Sequence, residues 1–150
     1  MRFIIQCVDN ARVDIDKNTV GKIDNGMMVL IGVSDTDTEV TADKMIEKML
    51  KLRIFEDENG KTNLNLSQVS GSLLLVSQFT LYADIKHGNR PSFIKAGSPD
   101  HASALYDYII ARCKESGIKT ETGEFGADMK VTLTNNGPFT IYMDSEELGF

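Results

Sequence analysis

Three short segments bring together residue types that can act on a carbonyl or a phosphate. The first is Ser77-Gln78-Phe79-Thr80, where an apolar run at 73–76 passes into a polar tip. Such a tip can aim backbone N–H groups and a hydroxyl into a cleft, and donors of that kind stabilise the oxyanion of acyl transfer. The same residues also read as an ordinary strand end with satisfied hydroxyls. The second is Asn136-Gly137-Pro138-Phe139-Thr140. The trans preference before proline is only about 0.5–1 kcal/mol, so packing can set a cis peptide there. Successive carbonyls would then point the same way, as a compact pair of acceptors; a plain hairpin turn is the alternative. The third is Gly88-Asn89-Arg90-Pro91-Ser92-Phe93. Arg90 could meet a phosphate and Phe93 could stack, or they are a surface base and a buried ring.

More familiar machinery is missing. The chain has no GxGxxG, P-loop, HExxH or GxSxG pattern. Of its two histidines, His87 lies in a polar loop and His101 in the first turn of an expected helix; both read as exposed. Cys7 and Cys113 lack a CxxC pattern and read as buried thiols of a reducing compartment. With so few Cys and His a zinc site would be hard to build, and neither a metal nor an organic cofactor is expected. Met45 and Met49 sit at helical spacing without His or Cys, which marks core packing.

The elements that must position these segments follow from periodicity. Residues 2–8 read as a strand, 11–16 as a second, 20–23 as its continuation after a polar turn, and 27–33 as a strand buried on both faces. Ser34, Asp35, Thr36 and Asp37 offer N-caps for a helix whose stripe is Met45, Ile46, Met49 and Leu50. Asn59-Gly60 marks a turn, 73–79 a buried strand, and 83–99 an irregular stretch. A second helix starts near Pro99 and Asp100, buries Ala102, Leu105, Tyr106, Ile109, Ile110 and Cys113, and stops at Gly117. The glycines of 123–127 read as turns or close backbone approaches, not as a phosphate loop. Short strands at 118–122, 129–134 and 139–143 finish the chain, the last two paired through a tight turn at 135–138. Strands outnumber two main helices without alternating with them, an α+β pattern.

The 150 residues, 41% hydrophobic and 25% charged, suit one domain spanning 1–150 with one core. A net charge of −6 argues against a general nucleic-acid binder. It leaves room for a protein that grips only the end of an RNA, where few phosphates are touched. The start of the chain is too short in apolar residues for a signal peptide, and the uncharged stretch 62–83 is broken by polar residues, so no membrane role and a cytoplasmic location are expected.

Four segments in order, SQFTLYAD (77–84), GNRPSF (88–93), TGEFGADM (122–129) and NGPFT (136–140), resemble the D-aminoacyl-tRNA deacylases; the likeness extends to the start of the chain and to LRIFEDENGK (52–61). The resemblance implies a compact, barrel-like α+β domain that forms a homodimer with active sites at the interface. It implies hydrolysis of D-aminoacyl-tRNA, and of glycyl-tRNA mischarged on tRNA(Ala), held by its 3′ end. Carried over, Ser77, Gln78, Phe79 and Thr80 form the catalytic segment. Asn136, Gly137, Pro138, Phe139 and Thr140 form the substrate-binding segment, with a cis Gly137-Pro138 peptide reaching into the partner's pocket. There its carbonyls would hold the substrate's amino end so that an L side chain has no room, which is specificity by rejection. Thr80 is either a nucleophile or a bystander to backbone N–H groups and the RNA's own 2′-hydroxyl. The chain shows no His or Lys beside Thr80 to activate it, which favours the second role. Two positions depart from the family pattern: Cys7 follows Gln6 where the family has Arg, and Phe139 stands where it usually has Val. A sister family that accepts some L-substrates has a bulkier residue there but a different first motif, so SQFT groups this chain with the D-specific enzymes.

Overall fold

The computed structural model describes all residues 1–150. Its spine is β1 (Arg2–Ile15), a strand of 14 residues with neighbours on both edges. Along one edge runs β8 (Lys130–Asp144), antiparallel over nearly the full length. Along the other, β3 (Gly26–Gly32) pairs with the first half of β1 and β2 (Asn18–Ile23) with the second. From β3 the sheet continues through β6 (Ser72–Ser77) to β7 (Thr120–Thr122), both joined in parallel. β2 curls back against β6 and β7, so the mixed sheet nearly closes into a barrel. Helices α1 (Glu39–Lys51) and α2 (Pro99–Glu115) supply the crossovers that parallel pairing requires. A small hairpin, β4 (Phe55–Glu56) and β5 (Thr62–Leu64), turns at the expected Asn59-Gly60.

Two apolar clusters explain why β3 and β6 are apolar on both faces. Met27, Val29, Leu73 and Leu75 face the helices and pack with Met45, Met49, Tyr106 and Ile109. Their alternates Met28, Leu74 and Val76 point into the barrel with Val8, Val13 and Ile23. Met45 and Met49 are fully buried, as their spacing predicts, and Cys7 and Cys113 are buried free thiols.

Three expectations are corrected. The strands read at 2–8 and 11–16 form one strand that ends at Ile15, because β8 pairs past the exposed Asp9 and Asn10 and absorbs the polar step as a bulge. The α1 cap is Thr38, whose Oγ1 accepts the Thr41 N–H at 3.3 Å. The carboxylate of Asp37 instead closes the preceding turn by accepting the Ser34 N–H at 2.7 Å. Finally, residues 129–134 and 139–143 do not pair with each other. Both belong to β8 and both pair with β1. What reads as a hairpin turn is an outward excursion, since Asn135 lies opposite Val8 while Thr140 lies opposite Gln6.

Candidate active site

β6 ends at Ser77, and the chain turns through a short 3₁₀ helix at Phe79–Tyr82 instead of continuing as strand to residue 79. Hydrogen bonding explains the break: the Gln78 N–H donates to the Ile31 carbonyl at 2.7 Å, the last ladder bond that β3 can offer. The turn then lies flat on β3 at Gly32, where a Cβ would stand 3.0 Å from that of Leu81. As first residues of a helical turn, Phe79 and Thr80 have no carbonyl behind them to bond, and their N–H groups make no intramolecular hydrogen bond. Adjacent, preoriented amide donors are what an oxyanion needs.

Ser77, Gln78 and Phe79 border a cleft of about 610 Å³. Its floor is Ile31, Val33 and Ser77; one wall is Phe79, Phe93 and Ile94, and the other is Ala102 and Tyr106 of α2 with Phe125. Phe79, 56% exposed, meets Phe93 edge to face at 5.0 Å between ring centroids. Phe93 is therefore a cleft wall and not a buried ring. Tyr106 donates its hydroxyl to the Leu75 carbonyl at 2.7 Å, and burial holds that phenol far above its ordinary range. It is a neutral wall here. The cleft is mostly apolar, with the polar side chains of Ser77, Gln78 and Ser98 in its lining, the usual composition of a small-molecule site.

Thr80 turns aside. It is exposed, does not line the cleft, and its Oγ1 accepts the Gln78 Nε2 amide at 2.5 Å. No basic group is bonded to it. His87 is exposed in its loop; His101 is half-buried, correcting the expected exposure, because its Nε2 lies 3.1 Å from the Asp37 carbonyl.

Behind the turn stands an ion-pair network that residue types did not reveal. The Arg2 guanidinium donates from Nε to Asp144 at 2.8 Å and from Nη1 to the Leu81 carbonyl at 2.8 Å, and lies 4.4 Å from the centre of the Tyr82 ring. Tyr142 donates its hydroxyl to the same Asp144 carboxylate at 2.7 Å. Burial pushes the Asp144 carboxyl up, but the hydrogen bonds from Tyr142, Arg2 and the Glu146 N–H outweigh it and hold the group below its ordinary value. Arg2 thus ties the 3₁₀ turn to the end of β8. A charge inside an apolar strand start was the available signal. Tyr106 and Phe125 were equally hidden, one as a core position of a helix and the other among turn glycines.

The second segment lies elsewhere. Gly137-Pro138 is cis, and both residues are exposed. Asn135 shapes the excursion, its Oδ1 accepting the Phe139 N–H at 2.6 Å and its Nδ2 donating to Thr140 Oγ1 at 3.1 Å. Asn136 donates to Asp9 at 2.8 Å. Beneath lies a separate cavity of about 270 Å³ touched by Cys7, Val8, Asn136, Gly137 and Phe139. Cys7 makes only a long contact, 3.8 Å, to the Ile54 carbonyl, and burial pushes its thiol up to about 11.

Within one chain the two segments do not meet. Ser77 pairs across to Ile31, Ile31 to Phe3, and Phe3 to Met143, whereas the excursion sits opposite Cys7. Three strand spacings across and four residues along place them on the order of 20 Å apart over the sheet. The fold defines an α+β, barrel-like protein with an apolar cleft beside two unbonded backbone amides. A family described as D-Tyr-tRNA(Tyr) deacylase matches residues 4–144. Proteins called D-aminoacyl-tRNA deacylase are similar along the whole chain. That of Thermosipho africanus is 49% identical, covering 99% of both chains, and that of Pasteurella multocida 53%, covering 96% of this chain and 99% of its own. A solved structure described as a c-Myc DNA Unwinding Element Binding Protein is 33% identical with a TM-score of 0.90, covering 96% of this chain and 98% of its own. The chain belongs to the D-Tyr-tRNA(Tyr) deacylase family.

Proposed function

We propose that this D-aminoacyl-tRNA deacylase works as a homodimer in which each Gly137-Pro138 excursion completes the cleft of the other copy. The aminoacyl ester enters the cleft with its terminal adenosine against the aromatic wall, a mode suited to unstacked RNA ends. The carbonyl oxygen of the ester lies toward the Phe79 and Thr80 N–H groups. Water, oriented by the substrate's own ribose hydroxyl, attacks the ester carbon; the two amides take the developing negative charge. The C–O bond to the ribose breaks and the ribose oxygen takes up a proton, releasing tRNA and a free D-amino acid.

Chirality is set separately. The carbonyls around the cis peptide of the other copy accept the substrate's ammonium group, and the rigid excursion fills the space an L side chain needs. Glycine has no side chain to reject, so glycyl-tRNA(Ala) passes the same filter. Such a reaction belongs in the cytoplasm, where charged tRNAs are used. The observation that carries this reading is the pair of unbonded N–H groups, at Phe79 and Thr80, beside an apolar cleft.

The test is release of D-tyrosine and L-tyrosine from matched aminoacyl-tRNAs under multiple turnover. Fast release of D with L spared is the expected result. Release of both would remove the chiral filter and leave the hydrolase. Release of neither, with tRNA still bound, would replace catalysis with a binding role.

A further inference from the structure

Beyond the Phe79–Tyr82 turn the chain leaves the cleft and returns to it. Asp84 and Ser92 exchange two backbone hydrogen bonds, at 2.7 and 2.9 Å, which close a seven-residue excursion, 85–91, at the cleft rim. Every residue of it is exposed, and it leads back into Phe93 and Ile94 of the aromatic wall. Charge is concentrated there. Residues 84–95 carry Lys86, Arg90 and Lys95 against the single acid Asp84, a net +2, while the rest of this chain of charge −6 carries −8. Lys86 and Arg90 form no ion pair, and Lys95 approaches Asp84 only at 3.9 Å. Across the cleft the rim is acidic, with exposed Glu124 beside Phe125 and exposed Asp100 opening α2.

We infer that residues 85–95 form an RNA-backbone guide, on which Lys86, Arg90 and Lys95 meet the phosphates of the nucleotides preceding the reacting end. The inference rests on the deacylase reading and adds a direction to it: the strand leaves the cleft over the basic rim, since the acidic rim repels it. An excursion of seven residues reaches on the order of 10 Å from its closing bridge. That reach accommodates two or three phosphates at about 3.4 Å of rise per nucleotide. Lys86 and Arg90, which form no ion pair, serve this use well, because their contact with phosphate releases counterions without first breaking protein ion pairs; Lys95 has only its long contact to Asp84 to give up.

The experiment compares the parent with Lys86→Ala/Arg90→Ala/Lys95→Ala and with a control of equal charge loss on the outer helix faces, Lys48→Ala/Lys51→Ala/Lys114→Ala. Binding of uncharged tRNA is measured over a series of salt concentrations. The rim variant should bind at least about tenfold more weakly at moderate salt, and its log–log salt slope should fall by about 2, near 0.7 per lost contact to a single strand. The helix-face control should keep the parent slope. A parent slope in the rim variant, or an equal fall in both variants, overturns the inference. A second arm measures hydrolysis of 3′-O-(D-tyrosyl)adenosine, which has no phosphate. The rim variant should cleave it at the parent rate while its KM for D-tyrosyl-tRNA rises; equal losses on both substrates would also overturn the guide. Should the parent cleave neither substrate, the deacylase reading fails, while the binding slopes still decide the guide.

Discussion

The turn at Phe79–Tyr82 and the excursion at 136–139 are built in opposite ways. The turn is supported from behind: Gly32 lets it lie on β3, and Arg2 holds its Leu81 carbonyl and bridges to Asp144. It faces a cleft of its own chain. The excursion is supported by the Asn135 side chain, by the Asn136 contact to Asp9 of β1 and by Phe139 against the core, and its Gly137-Pro138 tip is exposed. One region has unbonded donors beside a large apolar cleft; the other has a fixed shape, a smaller cavity beneath it and an exposed Gly137-Pro138 tip. The contrast suggests a division of labour. Rate would depend on the turn and its network, and selectivity on the excursion of a second copy.

Gly137→Ala tests that division most severely. Gly137 has φ +135°, and a Cβ there would stand 2.8 Å from the Phe139 nitrogen. The peptide must shift, and the excursion with it. The preference for D- over L-aminoacyl-tRNA should fall by about 100-fold, equivalent to roughly 2.7 kcal/mol of lost discrimination. Because the excursion lies outside the β1–β8 ladder, the melting temperature should move by only a few degrees. An unchanged D/L ratio measured on the two charged tRNAs would show that selectivity does not reside in this loop.

Arg2→Ala is the complementary probe. It removes the donor to Leu81 and leaves the Asp144 carboxylate with Tyr142 and the Glu146 N–H. Charge-assisted hydrogen bonds of this kind contribute about 1.5–3 kcal/mol, so a turnover loss of about tenfold on D-tyrosyl-tRNA is expected, with the D/L ratio intact. The acid limb gives an independent readout. A carboxyl held below its ordinary value stabilises the fold above its unfolded pKa, and that contribution is lost as pH falls through the folded pKa. Without Arg2, Asp144 is held down less, so acid unfolding followed by circular dichroism should begin at higher pH than in the parent. A fall in the D/L ratio with Arg2→Ala would join the two regions that the comparison separates.

How far each region was legible in the sequence follows from the same contrast. The buried strands read at 27–33 and 73–79 and the stripe of α1 were plain, apart from the second strand's end at Ser77, because burial on both faces or on one stripe leaves a periodic trace. The excursion was visible as a Gly-Pro turn but misread as a hairpin. Local turn chemistry cannot show that both flanking strands pair with a third, β1, far away in sequence. The Arg2–Asp144 bridge showed only as a charge at an apolar strand start, because its partner lies 142 residues away. Tyr106 and Phe125 were hidden because a cleft wall and a core position use the same apolar residues. The motifs pointed to both segments, but only the register of the sheet shows that they lie apart within one chain.

The smallest effect expected belongs to the residue whose type is most suggestive of chemistry. Thr80 carries a hydroxyl beside the proposed oxyanion donors, yet that hydroxyl accepts from Gln78 Nε2 and Thr80 is not among the residues that line the cleft. A threonine nucleophile needs a base to take its proton, and an amide nitrogen that is donating cannot serve. Thr80→Ala keeps the backbone N–H and removes only the hydroxyl. Its kcat on D-tyrosyl-tRNA, from steady-state release of D-tyrosine, should stay within about threefold of the parent, the scale of one neutral, exposed hydrogen bond. Loss of a nucleophile costs on the order of 10⁴-fold or more. A fall of that size, with the fold intact by circular dichroism, would move the chemistry from the backbone to the side chain. The turn would then be a scaffold for a hydroxyl, and its supporting network would act by aiming Thr80 instead of two amides.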